Sequence, residues 1–100
     1  MFVYNITTKV DNIIEEEWIL WQKEIHIPEI LGTGFFYDHR FFKLLDQNED
    51  EGKTYVIQYF ALERKDYEEY VRKYAPALRE KAFKKWGNQF ITFRTLLKSV

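Results

Sequence analysis

Residues 35–62 read FFYDHRFFKLLDQNEDEGKTYVIQYFAL, two aromatic and aliphatic runs on either side of the charged segment DQNEDEGK at residues 46–53. Phe35 to Leu45 has polar interruptions at Asp38, His39, Arg40 and Lys43, whereas Thr54 to Leu62 carries no charge at all. Both runs predict strands, and the short connection carrying Gly52 predicts that they pair as an antiparallel hairpin.

Working outward, each side of this hairpin carries a helical pattern and then a strand pattern. Upstream, Ile14, Trp18, Trp21 and Ile25 recur at helical spacing, with Glu15, Glu16, Glu17, Lys23 and Glu24 mostly off that stripe. Asp11 stands where an N-cap is expected, and Pro28 predicts an end near His26 because the residue before a proline is pushed out of helical conformation. Residues 1 to 10 then form the first strand. Downstream, Tyr67, Tyr70, Val71, Tyr74, Leu78 and Ala82 mark a helix from about Lys65 to Trp86, which Pro76 kinks or splits, and Gly87 stops it before a last strand at Phe90 to Leu97. The order βαββαβ over residues 1–100 is that of an α+β, ferredoxin-like sandwich: a four-stranded antiparallel sheet with two helices on one face, in one domain.

A sheet covered on one side alternates apolar and polar residues, and this one does not. Tyr55, Ile57 and Tyr59 oppose Val56, Phe60 and Leu62; Tyr37 and Phe41 oppose Phe36, Phe42 and Leu44. An apolar open face fits two readings, a second copy of the chain packed against it or an aromatic platform for nucleic-acid bases. A homodimer through the open face is the preferred reading, because symmetric dimers are the commonest oligomers.

Composition narrows the function classes. Hydrophobic residues are 46% and charged residues 31%, with no cysteine and two histidines, which removes thiol chemistry and cysteine-bound metal and makes a metal or cofactor site an unexpected one. The first ten residues lack the pattern of a secretion signal, and no run of 18 apolar residues occurs, so the expectation is a cytoplasmic protein without membrane contact. Charge is divided: residues 1–62 are net −6 and residues 63–100 net +5. Arg72, Lys73, Arg79, Lys81, Lys84 and Lys85 concentrate the basic excess on the second helix, either as a solvated face or as a patch for an acidic partner.

Candidate chemistry is sparse, and no catalytic residue is assigned. Strand alternation puts Asp38 and Arg40 on one face as an ion pair and His39 on the other, where it can enter a pocket. Arg94, inside the last strand, requires a carboxylate such as Asp38 or Asp46, backbone carbonyls, or a ligand anion. Tyr4, Asn5, Tyr59, Trp86 and His39 are the expected lining of an apolar pocket with polar handles, and Arg94 is the expected anion contact. His26 is read as a favourable helix-end charge. Met1 to Ile6 resembles the first-strand motif of RNA-recognition motifs, with Phe2 at the stacking position. The third-strand segment Glu51 to Gln58 keeps only Gly52, Tyr55 and Val56 of the matching pattern, so nucleic acid is a minor alternative.

Ala75-Pro76-Ala77-Leu78 and Phe93-Arg94-Thr95-Leu96-Leu97, within the run Tyr74 to Val100, resemble the C-terminal signature of a small bacterial domain-of-unknown-function family of about this length. The resemblance extends over the chain and implies a dimeric α+β barrel, ferredoxin-like protomers whose sheets pack face to face. It carries no assigned chemistry. The wider superfamily it points to includes cofactor-independent monooxygenases, haem-degrading oxygenases, small isomerases and ligand-sensing domains. Haem-degrading members use an asparagine, a tryptophan and a histidine; Asn5 matches in place, and no histidine lies on the second helix. The expected function is a homodimeric small-ligand or protein-binding module. The alternative is a cofactor-independent oxygenase or isomerase acting on a small apolar or aromatic substrate.

Overall fold

The computed structural model describes residues 1–100. The sheet consists of β1 (Phe2–Val10), β2 (Asp38–Lys43), β3 (Lys53–Ala61) and β4 (Phe90–Lys98), all antiparallel neighbours in the order β2-β3-β1-β4. The helical layer consists of α1 (Glu15–Trp21), a π-helical turn (Gln22–His26) and α2 (Ile27–Gly32), joined after the hairpin by α3 (Arg64–Lys73) and α4 (Ala75–Trp86). This is the ferredoxin-like arrangement, and no helix is long and apolar enough to cross a membrane.

The register fixes the two faces. Tyr4 lies opposite Tyr59 and Leu96, and Thr8 opposite Tyr55 and Thr92; this set faces the helices and supplies Tyr4, Val10, Tyr55, Ile57 and Tyr59 to the core. Phe2 also belongs to it and packs against that core, and Tyr55 is buried there with its hydroxyl donating to Glu15 Oε2 at 2.5 Å. The base-stacking roles expected of Phe2 and Tyr55 therefore fail, because both rings are on the covered side. Phe36 and Tyr37 exchange the sides that alternation gave them. Strand geometry starts only at Asp38, so Phe36 turns into the core against Tyr4 and Tyr70, while Tyr37 lies beside Phe60.

The first helical region differs most from the sequence reading. The helix proper begins at Glu15 with Ile14 at the N-cap and no side-chain cap, Asp11 contributing its carbonyl to the Ile14 amide at 3.1 Å. It also continues through Pro28 to Gly32. The π-turn explains both this continuation and a change of face: the Ile27 amide donates to the Gln22 carbonyl, an i→i−5 bond with one surplus residue. Pro28 then stands in the first turn of α2, where its missing N–H costs little. The surplus residue rotates the chain beyond it, so Ile25 is exposed and Ile27 and Ile30 are buried. Pro76 acts as expected, opening α4 after a break at Tyr74.

Gly52 closes the hairpin against β1 at φ 153°, and a Cβ there would lie 2.5 Å from the Val10 carbonyl oxygen. Backbone must move to admit any side chain. Gly52→Ala is expected to lose about 1–3 kcal/mol, read as a lower urea midpoint at unchanged slope.

Candidate functional site

Between the helix-facing side of the sheet and the helices lies a cavity of about 50 Å³. Tyr4, Thr8, Ile57 and Tyr59 supply its sheet side with Thr92 and Arg94 of β4, and Trp18, Trp21, Gln22, His26, Arg79 and Trp86 are among its helical lining. Two wider depressions of about 290 and 240 Å³ are surface features lined by six residues each.

What distinguishes the cavity is its polar lining. Five buried side-chain polar atoms of the chain have no hydrogen-bond partner: Gln22 Oε1, His26 Nδ1, Tyr59 OH, Trp86 Nε1 and Glu29 Oε1. The first four belong to residues that line this one cavity. Leaving such a group bare costs about 1–3 kcal/mol, so four such residues around one cavity single it out as the candidate site. Gln22, four residues after Trp18, already lies beside the buried stripe, and the π-turn rotates His26 inward, where Trp21 holds the imidazole in a stack at 4.5 Å. Trp21 in turn meets Trp86 edge-on at 5.8 Å, with the Lys85 ammonium 5.0 Å from the Trp86 ring centre.

Ionisation within the cavity is set chiefly by burial. Desolvation lowers the pKa of His26 to about 4, reinforced by Lys81 and Arg94 and opposed by Glu29, so the imidazole is neutral at pH 7. Burial holds the Tyr59 and Tyr70 hydroxyls protonated, with neighbouring tyrosine as a further cause in each. No group of three or more histidine or carboxylate side chains is placed to hold a metal ion.

Of the residues singled out from the sequence, Tyr4, Tyr59, Trp86 and Arg94 lie together in this lining. His39 does not; it stacks beside Tyr59 at 6.4 Å on β2, and His26 takes the place it was expected to fill. Asp38 pairs with Arg40 at 2.7 Å, and the hydrogen bond from Arg40 holds its carboxyl below the usual range. Arg94 has neither Asp38 nor Asp46 as a partner, since β4 and β2 are opposite edges of the sheet. Asn5 is on the open face, accepting from Gln58 at 3.1 Å, far from the role an oxygenase asparagine suggested.

The basic residues are dispersed rather than gathered. Arg72 and Lys73 both pair with Glu69, Lys81 with Glu29 and Lys84 with Glu80, while the Arg79 guanidinium reaches inward to donate to the Tyr4 hydroxyl at 3.0 Å. His26 was missed because periodicity assumes 3.6 residues per turn throughout, and Gln22, although beside the Trp18 stripe, because it is polar. The one sequence signal was the slip from Trp21 to Ile27 and Ile30, which no regular helix places on one stripe.

Residues 1–100 match the family model described as a domain of unknown function, DUF4286. The chain belongs to that family. No curated protein matches this DUF4286 chain. Its fold is similar to that of an ethyl tert-butyl ether D (EthD) family protein from Bacillus halodurans C-125, at 13% identity and TM-score 0.70, covering 100% of both chains. A dimeric ferredoxin-like protein from an uncultured marine organism is similar at 16% identity and TM-score 0.65, covering 100% of this chain and 95% of the other. A mutant of SnoaB, a cofactor-independent oxygenase from Streptomyces nogalater, is similar at 10% identity and TM-score 0.62, covering 98% and 92%. At these identities the likeness shows the fold.

His26 gives the DUF4286 chain a defined acid response. Its folded pKa of about 4 lies below the ordinary 6.5, so in that window the unfolded chain binds a proton that the folded chain does not. Its contribution is complete above pH 6.5 and falls as the pH drops towards 4, by up to about 3 kcal/mol. Urea midpoints at pH 7.5, 5.5 and 4.5 are expected to decline accordingly, and His26→Gln to flatten that decline.

Proposed function

We propose that this protein is a homodimeric small-ligand-binding module whose ligand occupies the cavity between sheet and helices. The observation that carries the reading is the meeting of four unpartnered buried polar atoms on one cavity. Acceptors and donors are both represented, Gln22 Oε1 among the former and Trp86 Nε1 among the latter, amid aromatic rings. The oxygenase named among the similar folds shares architecture, and architecture does not transfer chemistry; binding is therefore the reading, without turnover.

A thermal-shift series with single-ring and short-chain compounds, charged and neutral, tests it. A ligand at 100 times its Kd adds about 2.7 kcal/mol, which at this chain length raises Tm by roughly 10 °C or more. Ala82→Leu, placing bulk into the cavity from α4, is expected to keep the fold and abolish the shift. No shift with any compound would mean that water alone satisfies the four atoms.

The dimer rests on the open face. Phe42, Ile91, Phe93 and Leu97 are exposed there, and Val56 and Phe60 are half-buried. At the centre, Gln58 Nε2 donates to Asn5 Oδ1 at 3.1 Å, so this polar pair is partly hydrogen-bonded before any partner arrives. A partner burying about 800 Å² of this face would be of standard interface size. Light scattering is expected to give twice 12.3 kDa across dilution, with Phe93→Lys plus Val56→Lys shifting the mass to the monomer; a wild-type monomer would sink this reading.

A further inference from the structure

The chain has five arginines, and their pairing is uneven. Arg40 is paired with Asp38, Arg64 with Glu68 and Arg72 with Glu69. Arg79 and Arg94 have no carboxylate within 4.0 Å, and these two are the arginines that line the cavity. No aspartate or glutamate lines it. His26, beside them, is held neutral by burial and by the positive charge of Lys81 and Arg94. The lining therefore combines two arginines that have no ion-pair partner with the N–H of Trp86 and the hydroxyl of Tyr59, while Glu29, outside the lining, is the one carboxylate that bears on His26.

The geometry points to a small organic monocarboxylate as the ligand of this cavity, a deepening that rests on the ligand-binding reading above. A guanidinium takes a carboxylate in a bidentate fork, and both arginines are exposed, so an anion can reach them from solvent at the edge of the cavity. The apolar end of the ligand enters between Trp18, Trp21 and Ile57. Size limits what enters. The space of about 50 Å³ is small, which favours a short-chain acid over a bulky ligand. The planar fork of a guanidinium matches a carboxylate and the ring-lined space matches a short apolar tail, so a carboxylate on a short chain is the favoured anion.

The experiment is ligand titration of the full chain, followed by heteronuclear NMR at constant ionic strength. Butyrate and propionate are compared with their matched amides, with chloride and inorganic phosphate as anion controls. Butyrate is expected to bind at least tenfold more tightly than butyramide, and Arg94→Gln to weaken butyrate at least tenfold while leaving the amide unchanged. Arg94→Lys, which keeps the charge and loses the fork, is expected to restore part of the affinity. Spectra of each variant establish that it is folded, and Arg79→Gln supplies the same comparison from α4 if Arg94→Gln is not. Equal binding of acid and amide would overturn the carboxylate assignment and leave the ligand cavity standing, as would binding of only the neutral compounds. Phosphate binding as tightly as butyrate at the same residues would also overturn it. Failure of every compound, charged or neutral, would overturn the ligand-binding reading itself.

Discussion

Between Gln22 and His26 the chain carries one residue more than an α-helical turn holds, and the packing of the helical layer depends on that surplus. Helix faces are set by rotation per residue, so an added residue turns everything beyond it by about 100° relative to the preceding stripe. Trp18 and Trp21 dock before the slip, and Ile27 and Ile30 dock after it, all on the same sheet. Without the slip the chain would present Ile25 inward and His26 outward, and Pro28 would interrupt a regular ladder. The same turn that reconciles these residues places His26 in an otherwise aromatic interior.

That interior is built mainly of rings. Tyr4 approaches Phe36, Tyr59, Tyr67 and Tyr70 at centroid separations of 5.2 to 6.3 Å, and Trp18 meets Phe41 and Tyr55 at 5.9 and 5.4 Å. Rings packed edge to face leave angular gaps that aliphatic chains would fill, and each tyrosine or tryptophan carries a polar atom that must find a partner. Tyr4 finds Arg79 and Tyr55 finds Glu15. Tyr59 and Trp86 find none within the protein, so the cavity and its unmet polar atoms arise together from the choice of residues. Polar burial at Glu15 is answered: it loses solvation, yet the hydrogen bonds from Lys53 and Tyr55 outweigh that loss and hold its pKa below the ordinary value.

Charge follows a similar division. The charges of each half are largely paired within that half, as Arg72 with Glu69 along α3, and Lys81 with Glu29 is the one ion pair that joins the two halves across the helical layer. Exposed pairs of this kind contribute little to stability, but they account for most of the positive charge that composition alone suggests as a docking patch. Arg79, Lys85, Arg94 and Lys98 are left over from that accounting, and of these Arg79 and Arg94 line the cavity.

Much of this protein was legible in its sequence. Aromatic and aliphatic runs bounded by turn residues located four strands in the chain order βαββαβ, the short charged turn paired two of them as a hairpin, and Pro76 announced the break between α3 and α4. Tyr4, Tyr59, Trp86 and Arg94 were recognisable as residues that an interior or a ligand would have to answer. The tertiary structure decided which of them meet. Periodicity is a local rule that carries one phase along a helix, so it gave Ile25 to the core and His26 to the helix end; the π-turn, favoured by packing on the sheet, reversed both. It likewise took tertiary packing to exchange Phe36 with Tyr37, where alternation stops short of the strand, and to separate Arg94 from Asp38 by the width of the sheet. Those outcomes depend on contacts between residues far apart in the chain, which no local pattern contains.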